Sequence, residues 1–219
     1  MLARYASRFS VVEVNSSFYR QHQTKTYARW ASSVPRNFRF SVKLPRAISH
    51  ELALRDSGPL LDRFLGEVEG LGNNLGGFLL QLPPSFALDL RTASAFFRAF
   101  RNRSNAPLVF EPRHPSWFTA RAEPLFERFE ISRVAADPAV EGADRPNFTP
   151  YWPYWRWHGS PRMYYSAYSE EALSALAVEV HQSRTAPIAP WVIFDNTAHD
   201  FAVTNAARFQ ELLKAARPR

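Results

Sequence analysis

Seven short runs rich in β-branched and aromatic residues recur along the 219-residue chain, at 11–15, 38–44, 77–82, 108–113, 132–137, 154–158 and 191–196. Segments with helical spacing lie between most of them. Leu60, Leu61, Phe64, Leu65 and Val68 form one apolar stripe, and Phe96, Phe97 and Phe100 a second. Leu173, Leu176, Ala177 and Val180 form a third, opened by Ser169 with Glu170 and Glu171 in a favourable first turn. Phe209, Leu212 and Leu213 close the chain. Strands that alternate with helices imply crossovers, and crossovers give parallel pairing. No G-x-G-x-x-G follows any strand, so a dinucleotide-binding open sheet has no support. Polar residues stand at the carboxyl end of nearly every run rather than at one switch point. That distribution predicts an α/β chain of the TIM-type (β/α) barrel class, a single domain over residues 1–219. The irregular stretch 138–153 is expected to cover part of the face where the loops meet.

Composition narrows the function classes. With 46% apolar residues the chain can bury a substantial core, and no apolar run approaches the ~20 residues of a membrane span. No secretory signal is read at the start, and a soluble cytoplasmic protein with no membrane partner is the expectation. The absence of cysteine excludes disulfides and thiolate metal sites. A net charge of +7 invites a nucleic-acid reading. Only Lys25, Lys43 and Lys214 are lysine, however, and the arginines are dispersed without a basic tract. The surplus therefore reads mostly as solvated surface.

Strand alternation selects the side chains that face the interior. In a barrel strand, alternate residues point inward and the others pack on helices. With the apolar parity outward, Val12 and Val14 leave Glu13 and Asn15 inside. Phe38, Phe40 and Val42 leave Arg39, Ser41 and Lys43; Leu80 and Leu82 leave Gln81; Leu108 and Phe110 leave Glu111 and Arg113. Val134 and Ala136 leave Asp137, and Trp155 and Trp157 leave Arg156 and His158. The last strand is ambiguous, with Asn196 favoured inside over Asp195. Barrel interiors are ordinarily filled by Val, Ile and Leu, and burying this many ionisable groups is costly unless they pair.

Several readings of that set stay open. A salt-bridged plug would pair Lys43 with Glu13, Arg113 with Glu111 and Arg156 with Asp137. A metal site could draw on Glu111, His114, Asp137 and His158, but no H-x-H or H-E-x-x-H spacing exists and Lys43, Arg113 and Arg156 would repel a cation, so no metal or other cofactor is assigned. Acid–base chemistry would use Glu111 as base, Lys43 and Arg113 as electrostatic partners and His158 as acid, with Asp137 in the catalytic set. Lys43 as a Schiff-base lysine is a further option. Substrate binding is assigned to Glu13, Asn15, Tyr19, Gln81, Arg113, His114, Trp117, Tyr165 and Asn196. Cations outnumber carboxylates in the interior set, which suits a small anionic or phosphorylated ligand. Loop aromatics, Phe18, Tyr19, Trp117, Tyr164 and Tyr165, could stack on a sugar or base, or pack the loops themselves.

The segments VEVNSSFYR (12–20), FRFSVKLPRAISH (38–50), LLQLPPSF (79–86), FEPRHPSWF (110–118), ADPA (136–139), YWRWHGSPRMYYSAY (154–168) and FDNTAHDFAVTNA (194–206) together resemble, in order, the strand-end motifs of the DUF72 (YecE-like) family. The resemblance covers almost the whole chain. It implies a TIM-type barrel and no securely assigned activity. Family members begin with a strand reading roughly I-G-T-S-G-W before a Y-A-S-R-F helix, whereas Met1 falls inside that helix here, and His199 and Asp200 stand where glycine is usual. The expectation is an N-terminally incomplete barrel of seven strands out of eight, through a late start codon or with a partner or second copy at the open edge. An enzyme acting on a small anionic or phosphorylated substrate is expected. A nucleic-acid-binding or phosphodiester-cleaving protein and a non-catalytic barrel are the alternatives.

Overall fold

The computed structural model of the chain describes residues 2–140 and 151–215. Residues 141–150, most of the irregular stretch expected to cover a face, lie outside the described residues. The elements run in the order α1 (Leu2–Ala6), β1 (Val11–Val14), α2 (Ser16–Tyr19), α3 (Thr24–Ser32), β2 (Arg39–Lys43), α4 (Gly58–Val68), β3 (Leu75–Gln81), α5 (Leu90–Arg101), β4 (Leu108–Glu111), α6 (Glu123–Arg128), β5 (Ile131–Arg133), β6 (Ala135–Asp137), β7 (Tyr154–Trp157), α7 (Glu170–Gln182), β8 (Trp191–Phe194) and α8 (Phe201–Ala215). The result is an α/β fold with parallel sheets. The expected strands fall where the sequence places them, except that the run 132–137 is interrupted at Val134 and becomes β5 and β6. Two compact units result, Met1–Ile131 and Ser132–Arg219.

In the first unit, β1, β2, β3 and β4 pair in sequence order, all parallel, with β5 next to β4. One face of this sheet is the core. Val14, Phe38, Phe40, Val42, Leu44, Phe78, Leu80, Leu82, Leu108 and Phe110 pack with Leu61, Phe64 and Val68 of α4 and Phe96, Phe97 and Phe100 of α5. Each such large side chain, fully buried, contributes roughly 1.5–3 kcal/mol. Asp89 fixes the start of α5, accepting from the Arg91 and Thr92 amides at 3.0 and 3.3 Å. The opposite face holds buried Ser41, Leu79 and Val109 at mid-strand. Register then brings Lys43 beside Leu79, and Gln81 beside Glu111, at the carboxyl ends. Apolar parity thus matches the core-facing side of β1 to β4.

In the second unit, β6, β7 and β8 pair in parallel. Ala135, Trp155 and Phe194 pack against Leu173, Leu176, Ala177 and Val180 of α7 and Ala202 and Phe209 of α8. Ser169 caps α7 by accepting from the Ala172 amide at 3.3 Å. On the other face, Tyr154 and Trp191 stack with centroids 6.1 Å apart, and Trp152 meets both edge-on at 5.0 Å. Above this aromatic floor, the same strand parity carries Arg156 and His158 on β7 and its extension, and Asp195 just past β8. No helix among the described residues is long and apolar enough to cross a membrane.

Candidate functional site

Each unit gathers a polar cluster at the carboxyl ends of its own strands. In the first, Lys43 Nζ donates to Gln81 Oε1 at 2.6 Å, and Gln81 Nε2 donates to Glu111 Oε1 at 2.9 Å. Arg113 forms an ion pair with the same carboxylate. Lys43 therefore reaches Glu111 through the Gln81 amide, and three adjacent strands share one relay. Glu111 is 1% exposed and Lys43 6%. Removing such ions from water costs several kcal/mol each, which pairing and hydrogen bonding offset. The Lys43 ammonium also lies 4.2 Å from the centroid of the Phe18 ring. Ser17 Oγ donates to the Lys43 and Val14 carbonyls at 2.7 and 2.9 Å, pinning α2 across the ends of β1 and β2. His50 meets Phe18 edge-on at 5.0 Å. Burial, reinforced by Lys43 and Arg46, holds the His50 pKa below its ordinary value.

The other residues expected in this unit are dispersed. Glu13 is half-buried on β1 beside Ser41, and Asn15 immediately precedes α2. Tyr19 is 79% exposed and turned away; Phe18, not Tyr19, faces the lysine. His114 caps the short turn Pro115–Phe118, its Nδ1 accepting from the Ser116 amide at 3.2 Å. Trp117 is wholly buried, donates to the Phe86 carbonyl at 2.8 Å and packs on Phe110, so it belongs to the core rather than to a ligand-stacking loop. Arg39 sits at the opposite end of β2, tied to the carbonyls of Arg36 and Phe38.

In the second unit, Asp195 Oδ2 accepts from Arg156 NH2 at 3.0 Å and lies 3.1 Å from His158 Nδ1. Arg156 NH1 stands 3.4 Å from His158 Nε2. The three groups form a closed triangle in which His158 is 0% and Arg156 1% exposed. The tautomer protonated at Nδ1 suits both contacts, with Nδ1–H toward Asp195 and the Nε2 lone pair toward Arg156.

Two expectations are corrected here. Arg156 pairs with Asp195, where Asp137 was expected, and Asp195 rather than Asn196 belongs to the cluster. Asp137 shares the parity of Ala135, which is in the helix-facing core, and its register partner is Trp157. Its Oδ2 accepts from Tyr168 OH at 2.7 Å. Asn196 is fully buried but donates to the Ser166 carbonyl at 2.9 Å and to Asn205 Oδ1 at 2.8 Å. It holds the loop that follows His158. Tyr168 and Asn205, not singled out in the sequence, complete that scaffold. Tyr168 OH accepts from the Gly159 amide at 2.8 Å, and the Tyr168 amide donates to Asn205 Oδ1 at 3.2 Å. Burial and the Asp137 carboxylate push the Tyr168 phenol pKa far up. Tyr165 is 44% exposed, with the Arg162 guanidinium 4.3 Å from its centroid and the His199 ring at 5.4 Å. Among the described residues no group of three or more His, Asp or Glu could hold a metal ion.

Parallel strands joined by helical crossovers make this an α/β protein, with charged groups gathered at the carboxyl ends of its strands. The family model for DUF72, a protein of unknown function, matches residues 1–219, and the chain belongs to that family. UPF0759 protein YecE of Escherichia coli is 31% identical over 153 residues, which is 67% of this chain and 55% of that protein. UPF0759 protein YunF of Bacillus subtilis is 25% identical over 133 residues, 58% of this chain and 46% of that one. The chain thus matches about half the length of these curated relatives. Among solved structures, a DUF72 family protein from Enterococcus faecalis superposes with a TM-score of 0.85 at 24% identity, covering 98% of this chain and 93% of that one. One from Thermotoga maritima gives 0.80 at 25% identity, covering 94% and 85%.

Proposed function

We propose that this protein is an enzyme that moves a proton on a small anionic or phosphorylated substrate, using polar side chains at the carboxyl ends of its strands. The TIM-type barrel expected from the sequence is part of the proposal, supported by parallel strands with helical crossovers and by the likeness to solved family members. The carrying observation is the buried His158–Asp195 contact at 3.1 Å with Arg156 beside Nε2. Asp195 positions the imidazole, and Nε2 is the nitrogen that takes or gives the proton. Arg156 is the electrophilic partner. When its guanidinium turns to an anionic oxygen of the substrate, it releases the Nε2 lone pair for proton abstraction and stabilises the charge that develops. In the other unit, Glu111 has the companion features of a base, with Lys43 and Arg113 as the cations of its relay.

The test is a thermal-shift and calorimetric screen of carboxylates, phosphate esters and sugar phosphates, with His158→Gln, Arg156→Gln and Glu111→Gln beside the native chain. The proposal expects at least one anionic compound to bind the native chain and to bind Arg156→Gln about tenfold or more weakly. It also expects turnover of that compound to fall about 10²–10⁴-fold in His158→Gln. Folded variants with unchanged affinity would refute it. Length-dependent, strongly salt-sensitive binding of RNA or DNA with no small ligand would replace it with the nucleic-acid reading.

A further inference from the structure

The amino-terminal ends of β2 and β3 carry a second concentration of positive charge, remote from the relay. A cavity of about 710 Å³ is lined by Arg36, Arg39, Asn73 and Asn74. Arg39 opens the strand that Lys43 closes, four residues and about 13 Å away along β2. We infer that this cavity is a binding site for the phosphate group of a small ligand, distinct from the proposed catalytic set.

Its walls are pre-arranged. Arg39 NH1 donates to the Arg36 carbonyl at 2.7 Å and the Phe38 carbonyl at 3.0 Å. Asn74 Nδ2 donates to the same Phe38 carbonyl at 2.8 Å and to the Pro35 carbonyl at 3.2 Å. Both side chains therefore grip the segment 35–38 and are held at the cavity edge by backbone. Gly72, with φ +50, turns the chain that delivers Asn73 and Asn74, a conformation glycine adopts without strain. These bonds use only one terminal nitrogen of Arg39. Its Nε and NH2, the Arg36 guanidinium and the Asn73 amide make no side-chain hydrogen bond or ion pair with another described residue.

Charge and donor number select the ligand. No aspartate or glutamate lines the cavity, so its two formal positive charges are uncompensated there. Guanidinium forks match the paired oxygens of a phosphate, and the amide adds a neutral donor. A phosphate offers more acceptor oxygens and more negative charge than a monocarboxylate, and so matches two arginines and an amide better. Nucleic acid would require a continued track of cations, whereas this group is confined to two turns.

The experiment is a titration of the full chain with inorganic phosphate and pyrophosphate at low ionic strength, followed by the backbone amide signals of Arg39, Asn73 and Asn74. Saturable shifts at these positions are expected, with affinity that weakens as salt is raised. Arg36→Gln should weaken binding about tenfold, and Arg36 is exposed and braces nothing, so the fold should survive. Arg156→Gln should leave these shifts unchanged, which separates this site from the proposed catalytic one. Absence of saturable shifts, or equal affinity in folded Arg36→Gln, would overturn the inference. So would duplex DNA displacing pyrophosphate with an affinity that grows with its length.

Discussion

Gly159, immediately after His158, should not tolerate even one added methyl group. Its φ is +101, a region an L side chain enters at a cost of about 1–3 kcal/mol. A Cβ there would also stand 3.0 Å from the Ser166 carbonyl oxygen, 3.2 Å from Asn196 Cβ and 3.3 Å from the Arg162 carbonyl oxygen. Two of these neighbours are backbone, and the Ser166 carbonyl is held by the Asn196 amide. Relieving the crowding means displacing that carbonyl and weakening its hydrogen bond, for roughly 1 kcal/mol more. Gly159→Ala should therefore lose about 2–4 kcal/mol of stability, which at a urea slope on the order of 3 kcal/mol/M lowers the midpoint by about 1 M. Gly66→Ala is the matched control. Gly66 lies inside α4 with no atom within 4 Å of the added carbon. That change should instead stabilise the protein by about 0.5–1 kcal/mol. A Gly159→Ala midpoint within about 0.2 M of the native value would refute the packing argument for the loop behind His158.

Other changes read the polar clusters. Asp195→Ala removes a carboxylate that pairs with the buried Arg156 and contacts His158, and should cost about 3–5 kcal/mol, read from the urea midpoint. Acid sensitivity should come partly from His22 and His50, whose folded pKa values lie below the ordinary 6.5, first through burial and then through neighbouring cations. The unfolded chain takes up their protons before the folded chain does, so their stabilising contribution is present above about pH 6.5 and declines as pH falls below it. Denaturation midpoints at about pH 7.5 and about pH 5.5 should differ less in His22→Gln/His50→Gln than in the native chain. An undiminished difference would assign the acid sensitivity to other groups.

Sequence alternation worked where large apolar residues marked one parity. Phe38, Phe40 and Val42, or Leu80 and Leu82, left no doubt that Lys43 and Gln81 faced the other way. It failed for Asp137, where Val134, Ala135 and Ala136 offer little contrast in size and the strand is interrupted. It also failed past Trp191–Phe194, whose four residues are all apolar, so that Asn196 was preferred to Asp195. The charge that should have identified Asp195 was visible: a buried arginine two residues before a histidine on β7 needs a carboxylate, and Asp195 follows the strand paired with it. Loop aromatics look alike in sequence, so Tyr19 and Trp117 read equally as ligand-stacking residues. Only packing distinguishes Trp117, buried on Phe110, from Tyr19, which is exposed. The relay through Gln81 was not legible at all, because an amide between a lysine and a glutamate has no spacing signature.

The catalytic reading rests on His158 donating from Nδ1 to Asp195 and using Nε2 for proton transfer. Nitrogen-15 NMR of histidine-labelled protein near neutral pH measures this directly. The native chain should show His158 protonated at Nδ1 and unprotonated at Nε2, and folded Asp195→Asn should lose that preference. A native His158 protonated at Nε2, or a tautomer that ignores the loss of the Asp195 charge, would contradict the account.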